Sequence, residues 1–246
     1  MIEPAGKPNR KRLAVIAAGG LVTLIVVVFL LVYFVIFPTS SPKPFKLTTS
    51  AAALQSAAAS GTASAVNAGG RFAVAAGSQA GYRVREKLAF LPAQSDAVGR
   101  TSSITGTAAL TQSKTAITIT SASFKVAVNT LKSDRSMRDE KIHEIGLESD
   151  RYPTATFVLS SPVVITRSAL SGHVARTTVT GVFTIHGVSK SETLPVEFTL
   201  SGTTLEAAGS ITFPWSEFGM SAPSIGGFVN VTEKATMEFD LHLQRA

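Results

Sequence analysis

Apolar and polar residues alternate along much of the chain after residue 70, as is typical of strands with one buried and one solvated face. The alternation is most regular where Phe124, Val126 and Val128 interleave with Lys125 and Ala127, and it recurs at 196–201 and 237–244. Similar but less regular runs lie at 82–90, 101–111, 153–166, 174–187 and 204–216. About eight strands with short connections predict antiparallel pairing in a barrel or sandwich.

One stretch within this region has helical spacing instead. Met137, Ile142 and Ile145 recur among charged residues, and Ser136 followed by Asp139 resembles a capping box at a helix start. A single short helix set among strands is most economically placed over one end of a barrel. The pattern therefore predicts a mainly-β fold, an eight-stranded antiparallel barrel with one short capping helix.

The alternation is disturbed between residues 120 and 123. Such a disturbance indicates a β-bulge, in which one extra residue is inserted into a strand. A bulge reverses which side chains face inward, so it decides which residues of this strand reach the interior.

Residues 13–37 form an uncharged, almost wholly apolar run of 25 residues. As a helix this run is roughly 37 Å long, more than the ~30 Å of bilayer hydrocarbon, so it predicts a single transmembrane helix. Residues 1–12 carry Lys7, Arg10, Lys11 and Arg12, which predicts a cytoplasmic N-terminus and an extracytoplasmic C-terminal part. The alternative is a cleaved signal and a secreted protein, but the run is longer than a signal core and ends in bulky residues.

Residues 38–70 are predicted to be a flexible linker between this span and the strand-rich domain, residues 71–246. Of these 33 residues, 25 are Ala, Ser, Thr, Pro or Gly, too few apolar side chains to offset the entropy of ordering. A coil of that length reaches about 30 Å.

The formal net charge of +7 suggests a nucleic-acid partner at first sight. Residues 71–246, however, carry 17 Lys and Arg against 15 Asp and Glu, a net charge of only +2. The remaining excess lies beside the predicted span, where it meets anionic lipid headgroups. We therefore predict a membrane contact and no nucleic-acid partner.

Motifs for catalysis and metal binding are missing from the sequence. It has none of the phosphate-binding glycine loops or the G-x-S-x-G elbow. The four histidines have no ligand spacing, and the absence of cysteine excludes disulfides and thiol chemistry. The sequence predicts neither an enzyme nor a metal site or cofactor.

The predicted inward positions are strongly apolar, and the residues alone leave two interpretations open. An eight-stranded barrel can be filled by its own side chains, or it can hold one small ligand. Aromatic side chains and adaptable methionines suit either case.

Several passages taken together resemble the YceI-like family, whose members are periplasmic or secreted lipid-binding domains with a lipocalin-like barrel. The resemblance covers roughly residues 71–244, and its strength is the order and spacing of the passages. They are Gly77–Glu86, Val98–Thr101, Ile104–Gly106, Leu131–Asp134, Arg138-Asp139, Tyr152–Phe157, Val179–Val188 and Phe218–Met220.

This resemblance implies a barrel that encloses the apolar chain of a polyisoprenoid, a polyisoprenoid quinone or a related amphiphile, as a ligand. The residues assigned to the tail are Phe124, Val126, Phe157, Phe183, Ile185, Phe213, Trp215, Met237 and Phe239. Met137, Ile142 and Ile145 would close the entrance. Arg135, Arg138 and Lys141 would pair with an anionic or pyrophosphate head, the alternatives being a solvated helix face and a structural Arg138-Asp139 pair.

Two functions from different classes follow. The first is a membrane-tethered, extracytoplasmic lipid carrier or sensor. The second is a ligand-free barrel that acts as a protein-interaction module of the cell envelope, which an outer apolar patch would mark. Lipocalin-like domains can pair as homodimers, but the sequence carries no dimer signature and names no protein partner.

Overall fold

The structure is a computed structural model that describes residues 20, 23–24, 26–28, 41–47, 69–88, 94–166, 174–201, 203–225 and 229–246. The chain forms two compact units, Met1–Ser41 and Pro42–Ala246. In the first unit the described residues 20, 23–24 and 26–28 are helical, and the rest of the predicted span 13–37 lies outside the described residues. Within the part of the chain that the structure describes, no helix has both the length and the apolar character to cross a membrane.

The second unit is built from antiparallel strands and one short α-helix, α1 (Ser136–Lys141). The strands are β1 (Gly70–Val74), β2 (Gln79–Leu88), β3 (Ser95–Thr101), β4 (Ile104–Gln112), β5 (Ala116–Ala127), β6 (Thr154–Leu159), β7 (Val163–Thr166), β8 (Ala175–Ile185), β9 (Val188–Ser201), β10 (Thr204–Pro214), β11 (Ser224–Ile225) and β12 (Val229–Arg245).

These strands close into an eight-stranded barrel. The hydrogen-bonded order is β1-β4-β5-β6-β8-β9-β10-β12, and β12 pairs with β1 to complete the ring. The β2–β3 hairpin continues β1 and β4 along the same two positions, since β2 pairs with β12 and β3 pairs with β2. Likewise β7 continues β6 beside β5. The predicted mainly-β, eight-stranded antiparallel barrel with one short helix is confirmed.

The predicted bulge lies in β5. Across the β4–β5 pair, Ala109 is opposite Ser121 and Leu110 is opposite Ile119, so Thr120 is the extra residue. Its hydroxyl donates to the Ala109 carbonyl at 3.1 Å. Buried positions accordingly change from odd numbers, at Ile119, to even numbers after the bulge.

Helix α1 begins differently from the prediction. Arg135, not Ser136, is the N-cap, and no side chain caps the helix. Asp139 instead accepts hydrogen bonds from the Ser133 amide at 2.8 Å and the Ser133 hydroxyl at 2.6 Å. The helix continues as a wider π-helical turn, Ile142–Gly146, whose Ile142 is buried in the barrel core.

A buried carboxylate bridges the seam where the first and last strands meet. Glu238 lies on the outer face of β12 and is only 2 % exposed. Arg100 on β3 donates to it at 2.7 Å, and Arg83 on β2 donates at 3.3 Å. Because both guanidinium groups reach across β2, the ion pairs join three strands on the outside of the barrel.

The two seam arginines also bind residues 42–47, which belong to the predicted linker. Arg83 Nη2 donates to the Pro42 carbonyl at 2.7 Å. Arg100 Nη2 donates to the Lys43 carbonyl at 2.6 Å. This short extended segment, which we call the strap, therefore lies against the barrel, unlike the free coil predicted for 38–70. The linker residues 48–68 lie outside the described residues.

An aromatic and a polar contact hold the rest of the strap. The guanidinium of Arg100 lies 3.8 Å from the centre of the Phe45 ring, a cation–π contact. The Leu47 amide donates to Glu197 Oε2 on β9 at 2.9 Å. The strap thus crosses from the seam to β9, and its local pattern of prolines and one aromatic residue has a structural use.

Replacing Phe45 by alanine is expected to loosen the strap without unfolding the barrel. Loss of a partly exposed cation–π contact costs about 0.5–1 kcal/mol, so hydrogen exchange of the Leu47 amide should quicken about two- to five-fold in the full chain. Lys46→Ala is the matched control, because Lys46 is exposed. Equal exchange in Phe45→Ala and wild type would show that the aromatic contact does not hold the segment.

Candidate functional site

The barrel encloses one long apolar cavity. It offers ≈ 160 Å³ to the centres of water-sized spheres. Because one water needs about 10–15 Å³ on this measure, the cavity has room for roughly 11–16 water-sized groups. Its lining is almost entirely apolar and comes from all eight positions of the ring. Such a site can hold an apolar chain and offers little to a polar one.

Seven of the residues predicted for an apolar tail line this cavity. They are Phe124, Val126, Phe157, Phe183, Ile185, Met237 and Phe239. Their shared feature is that each lies inside a long strand whose alternation continues past it on both sides.

Three of these aromatic residues are brought together by strand register. Phe124 on β5 is opposite Phe157 on β6, which is opposite Phe183 on β8. The ring centres are 6.4 Å apart in the first pair and 4.8 Å in the second. Gly181 makes room for the middle ring, since a Cβ there would lie 2.1 Å from Phe157 Cε2.

Small residues keep the opposite part of the barrel wide. Ala108 on β4 and Ala122 on β5 are cross-strand partners, and both line the cavity. Ala122 faces inward only because the bulge at Thr120 has shifted the alternation. The empty space therefore follows from a few small side chains facing large ones.

Phe213 and Trp215, also predicted for the tail, lie elsewhere in the core. Strand β10 ends at Pro214, and a 3₁₀ turn, Trp215–Phe218, follows. Phe213 packs edge-on against Phe218 with ring centres 4.7 Å apart, and Trp215 Nε1 donates to the Thr232 carbonyl at 2.9 Å. Neither residue lines the cavity, because strand alternation stops applying where the strand stops.

The three residues predicted to close an entrance do not line the cavity either. Met137 is 66 % exposed and Ile145 is 43 % exposed, while Ile142 is buried in the core. The reason is the rotation of α1. Arg138 points at the barrel wall, and one residue along a helix turns the side chain by about 100°, which leaves Met137 in solvent.

Several cavity residues were not assigned from the sequence although most follow the same alternation. Val196, Phe198, Leu241 and Leu243 lie on inward faces of β9 and β12 and could have been found by extending the pattern. Two others had no such signal: Leu131 and Leu147 come from the segments flanking α1.

Residues 73–243, more than half of the chain, match the YceI-like domain. The chain belongs to the YceI-like family. No curated protein matches it. Among solved structures, the YceI-like barrel is similar to a polyisoprenoid binding domain from Saccharophagus degradans implicated in plant cell wall breakdown, with a TM-score of 0.52 and 12 % identity over 72 % of this chain and 99 % of that one.

Two further structures are more distant from this YceI-like barrel. BcnA from Burkholderia cenocepacia has a TM-score of 0.48 and 20 % identity, over 66 % of this chain and 95 % of that one. The YceI protein of Campylobacter jejuni has a TM-score of 0.38 and 13 % identity, over 52 % of this chain and 74 % of that one.

In this YceI-like domain, Arg138 is part of a buried ion pair. Its Nη2 and Nε donate to the two carboxylate oxygens of Glu86 on β2, at 2.5 and 3.3 Å, and Nη1 bonds to Asp134. Burial acts to lower the pKa of Arg138, but the hydrogen bonds and charges of Glu86 and Asp134 outweigh it and raise the pKa. Arg138 therefore fastens α1 to the barrel.

The other two predicted head-group cations also face carboxylates. Lys141 Nζ lies 2.6 Å from Glu144, and Arg135 Nε lies 3.9 Å from Asp134. Of the predicted alternatives, the solvated helix face describes Lys141, and a structural pair describes Arg138, though with Glu86 instead of Asp139. Within the described ranges, His, Asp and Glu side chains form no group that could hold a metal ion.

Replacing Arg138 by alanine is expected to destabilise the barrel by on the order of 3 kcal/mol, because it leaves Glu86 charged and buried without its partner. Lys141→Ala removes an exposed ion pair and should cost at most about 0.5 kcal/mol. Urea unfolding of the full-length variants measures both. Equal costs for the two variants would contradict a fastening role for Arg138.

Proposed function

We propose that the barrel binds the apolar tail of a polyisoprenoid or a related amphiphile, held as a ligand. The observation that carries the proposal is the enclosed cavity, whose lining is apolar on all sides. At roughly 11–16 water-sized groups, it holds about two or three isoprene units, or a segment of that size from a longer chain. The similarity in fold to a polyisoprenoid binding domain supports this ligand class.

The energy of such binding depends on where the ligand comes from. From water, burying ten methylene-sized groups gains about 8 kcal/mol, against an association cost of at least about 4 kcal/mol. From a bilayer the hydrophobic gain nearly vanishes, because lipid tails are as apolar as the cavity. A barrel of this kind therefore exchanges ligand with a membrane at little cost, as a carrier or sensor needs.

The apolar run 13–37 and its basic flank support a membrane location for this exchange. We propose that the run anchors the protein and that the barrel lies on the extracytoplasmic side. A tethered barrel samples lipids near its own membrane, which favours local capture or sensing over transport across long distances. Secretion after cleavage of this segment is the alternative.

A second function, protein interaction in the cell envelope, has one observation in its favour. Val158 and Val182 are cross-strand partners on the outer face of β6 and β8, and both are exposed. Val164 on β7 is exposed as well. Three valines make a small patch compared with usual interfaces, so we rank this function below ligand binding.

Filling the cavity should remove the ligand while leaving the fold intact. Ala122→Leu places three more carbon atoms in the cavity next to Ala108. The full chain, purified from the membranes of the cells that make it and extracted with organic solvent, should lose most of its lipid by mass spectrometry. Thermal stability should hold or rise, since the added carbons occupy empty space.

Ser123→Leu is the matched control for this experiment. Ser123 is the next residue on β5 and faces solvent, so the same side chain is added outside the barrel and the lipid should remain. Wild-type protein that yields no lipid would contradict the proposed function. Equal lipid in Ala122→Leu and wild type would place the ligand outside the cavity.

The proposed anchor is tested by extraction at high pH. The wild-type chain should stay in the membrane pellet, and the double variant Val26→Lys, Val27→Lys should move to the supernatant, because each lysine at a helix centre costs about 3 kcal/mol in a bilayer. Val158→Lys, Val164→Lys is the matched control on the exposed face of the barrel. An intact mass short of the first 37 residues would instead indicate cleavage.

A further inference from the structure

A buried tyrosine hydroxyl at the cavity wall has no partner. Tyr82 on β2 lines the cavity and is 7 % exposed. Its ring packs over Gly99 on β3, where a Cβ would lie 2.3 Å from Tyr82 Cε1. Among the residues that the structure describes, none forms a hydrogen bond with Tyr82 Oη. A buried hydroxyl without a partner is costly and is rarely retained in a core without a use.

The neighbouring hydroxyl is already engaged. Ser133 Oγ donates its proton to Asp139 at 2.6 Å and does not satisfy Tyr82. Burial raises the pKa of Tyr82, so the phenol stays protonated and remains a hydrogen-bond donor at every physiological pH. The free donor therefore lies at the wall of an otherwise apolar cavity.

The charges near this hydroxyl do not favour an anion. Arg138, the cation whose charge acts on Tyr82, is held in its buried pair with Glu86. Asp139 and Glu86 add negative charge on the same side. A pyrophosphate placed here would have to displace Glu86 from Arg138 and leave a buried carboxylate unpaired.

We propose that Tyr82 donates a hydrogen bond to the uncharged polar end of the bound amphiphile, an alcohol or carbonyl oxygen, and that the site selects such ligands over pyrophosphates. This inference rests on the proposed function, since it requires the tail to occupy the cavity. It replaces the anionic head predicted for Arg135, Arg138 and Lys141 by a neutral one. Tyr82 is then the residue that gives an otherwise non-directional cavity its orientation.

The test uses the full chain, stripped of lipid, and three probes with the same branched tail: farnesol, the hydrocarbon farnesane and farnesyl pyrophosphate. Calorimetric titration should show the tightest binding for farnesol. Tyr82→Phe should weaken farnesol binding about 2–12-fold, the range for one neutral hydrogen bond, and leave farnesane unchanged. Tyr152→Phe is the matched control, because Tyr152 packs against His186 and does not line the cavity.

A second readout separates recognition from a structural role. Removing an unpartnered buried hydroxyl should hold or raise the melting temperature of the ligand-free protein, whereas removing a structural hydrogen bond would lower it. Equal farnesol affinity in Tyr82→Phe and wild type, or a preference for farnesyl pyrophosphate, would overturn the inference. If farnesane binds in either case, the apolar cavity keeps its proposed function; if no probe binds, the proposed function itself fails.

Discussion

The pairing of β12 with both β10 and the β1–β2 side closes the barrel, and the interior exists only because of this closure. A closed sheet leaves no free edge in the ring and lets every strand turn one face inward. The seam is reinforced from outside by Glu238, whose two arginine partners stand on β2 and β3. The strap lies over the same arginines, so the N-terminal segment contributes to the closure of the sheet it precedes.

Charges and apolar surface are separated by this arrangement. The two buried carboxylates, Glu86 and Glu238, are both satisfied by arginines that reach them across strands. Neither ion pair depends on what occupies the cavity, so loading and release of an apolar ligand leave the costly buried charges paired. The barrel can therefore be rigid in its wall and undemanding in its interior.

Strand alternation predicted the interior well wherever a strand is long and regular. Phe183 and Met237 could be placed from local pattern alone, and even the bulge at Thr120 was visible as a break in that pattern. Prediction failed where the position of a side chain depends on contacts distant in the sequence. Arg138 finds Glu86 from 52 residues away, and this pairing sets the rotation of α1 and so the exposure of Met137. Phe45 is docked by Arg100 on β3, which no composition rule for a linker could indicate.

The nature of an apolar cavity also explains how far this sequence can diverge from others with the same fold. The similarity to the Saccharophagus degradans domain covers 72 % of the chain at 12 % identity. Hydrophobic burial is non-directional, so a barrel interior needs apolar character and a total volume more than particular residues. Directional contacts obey a stricter rule, because a hydrogen bond needs its donor at one place. Changes among the residues around Ala108 and Ala122 therefore alter the length of tail that fits, whereas a change at Tyr82 alters which chemical end of a ligand is preferred.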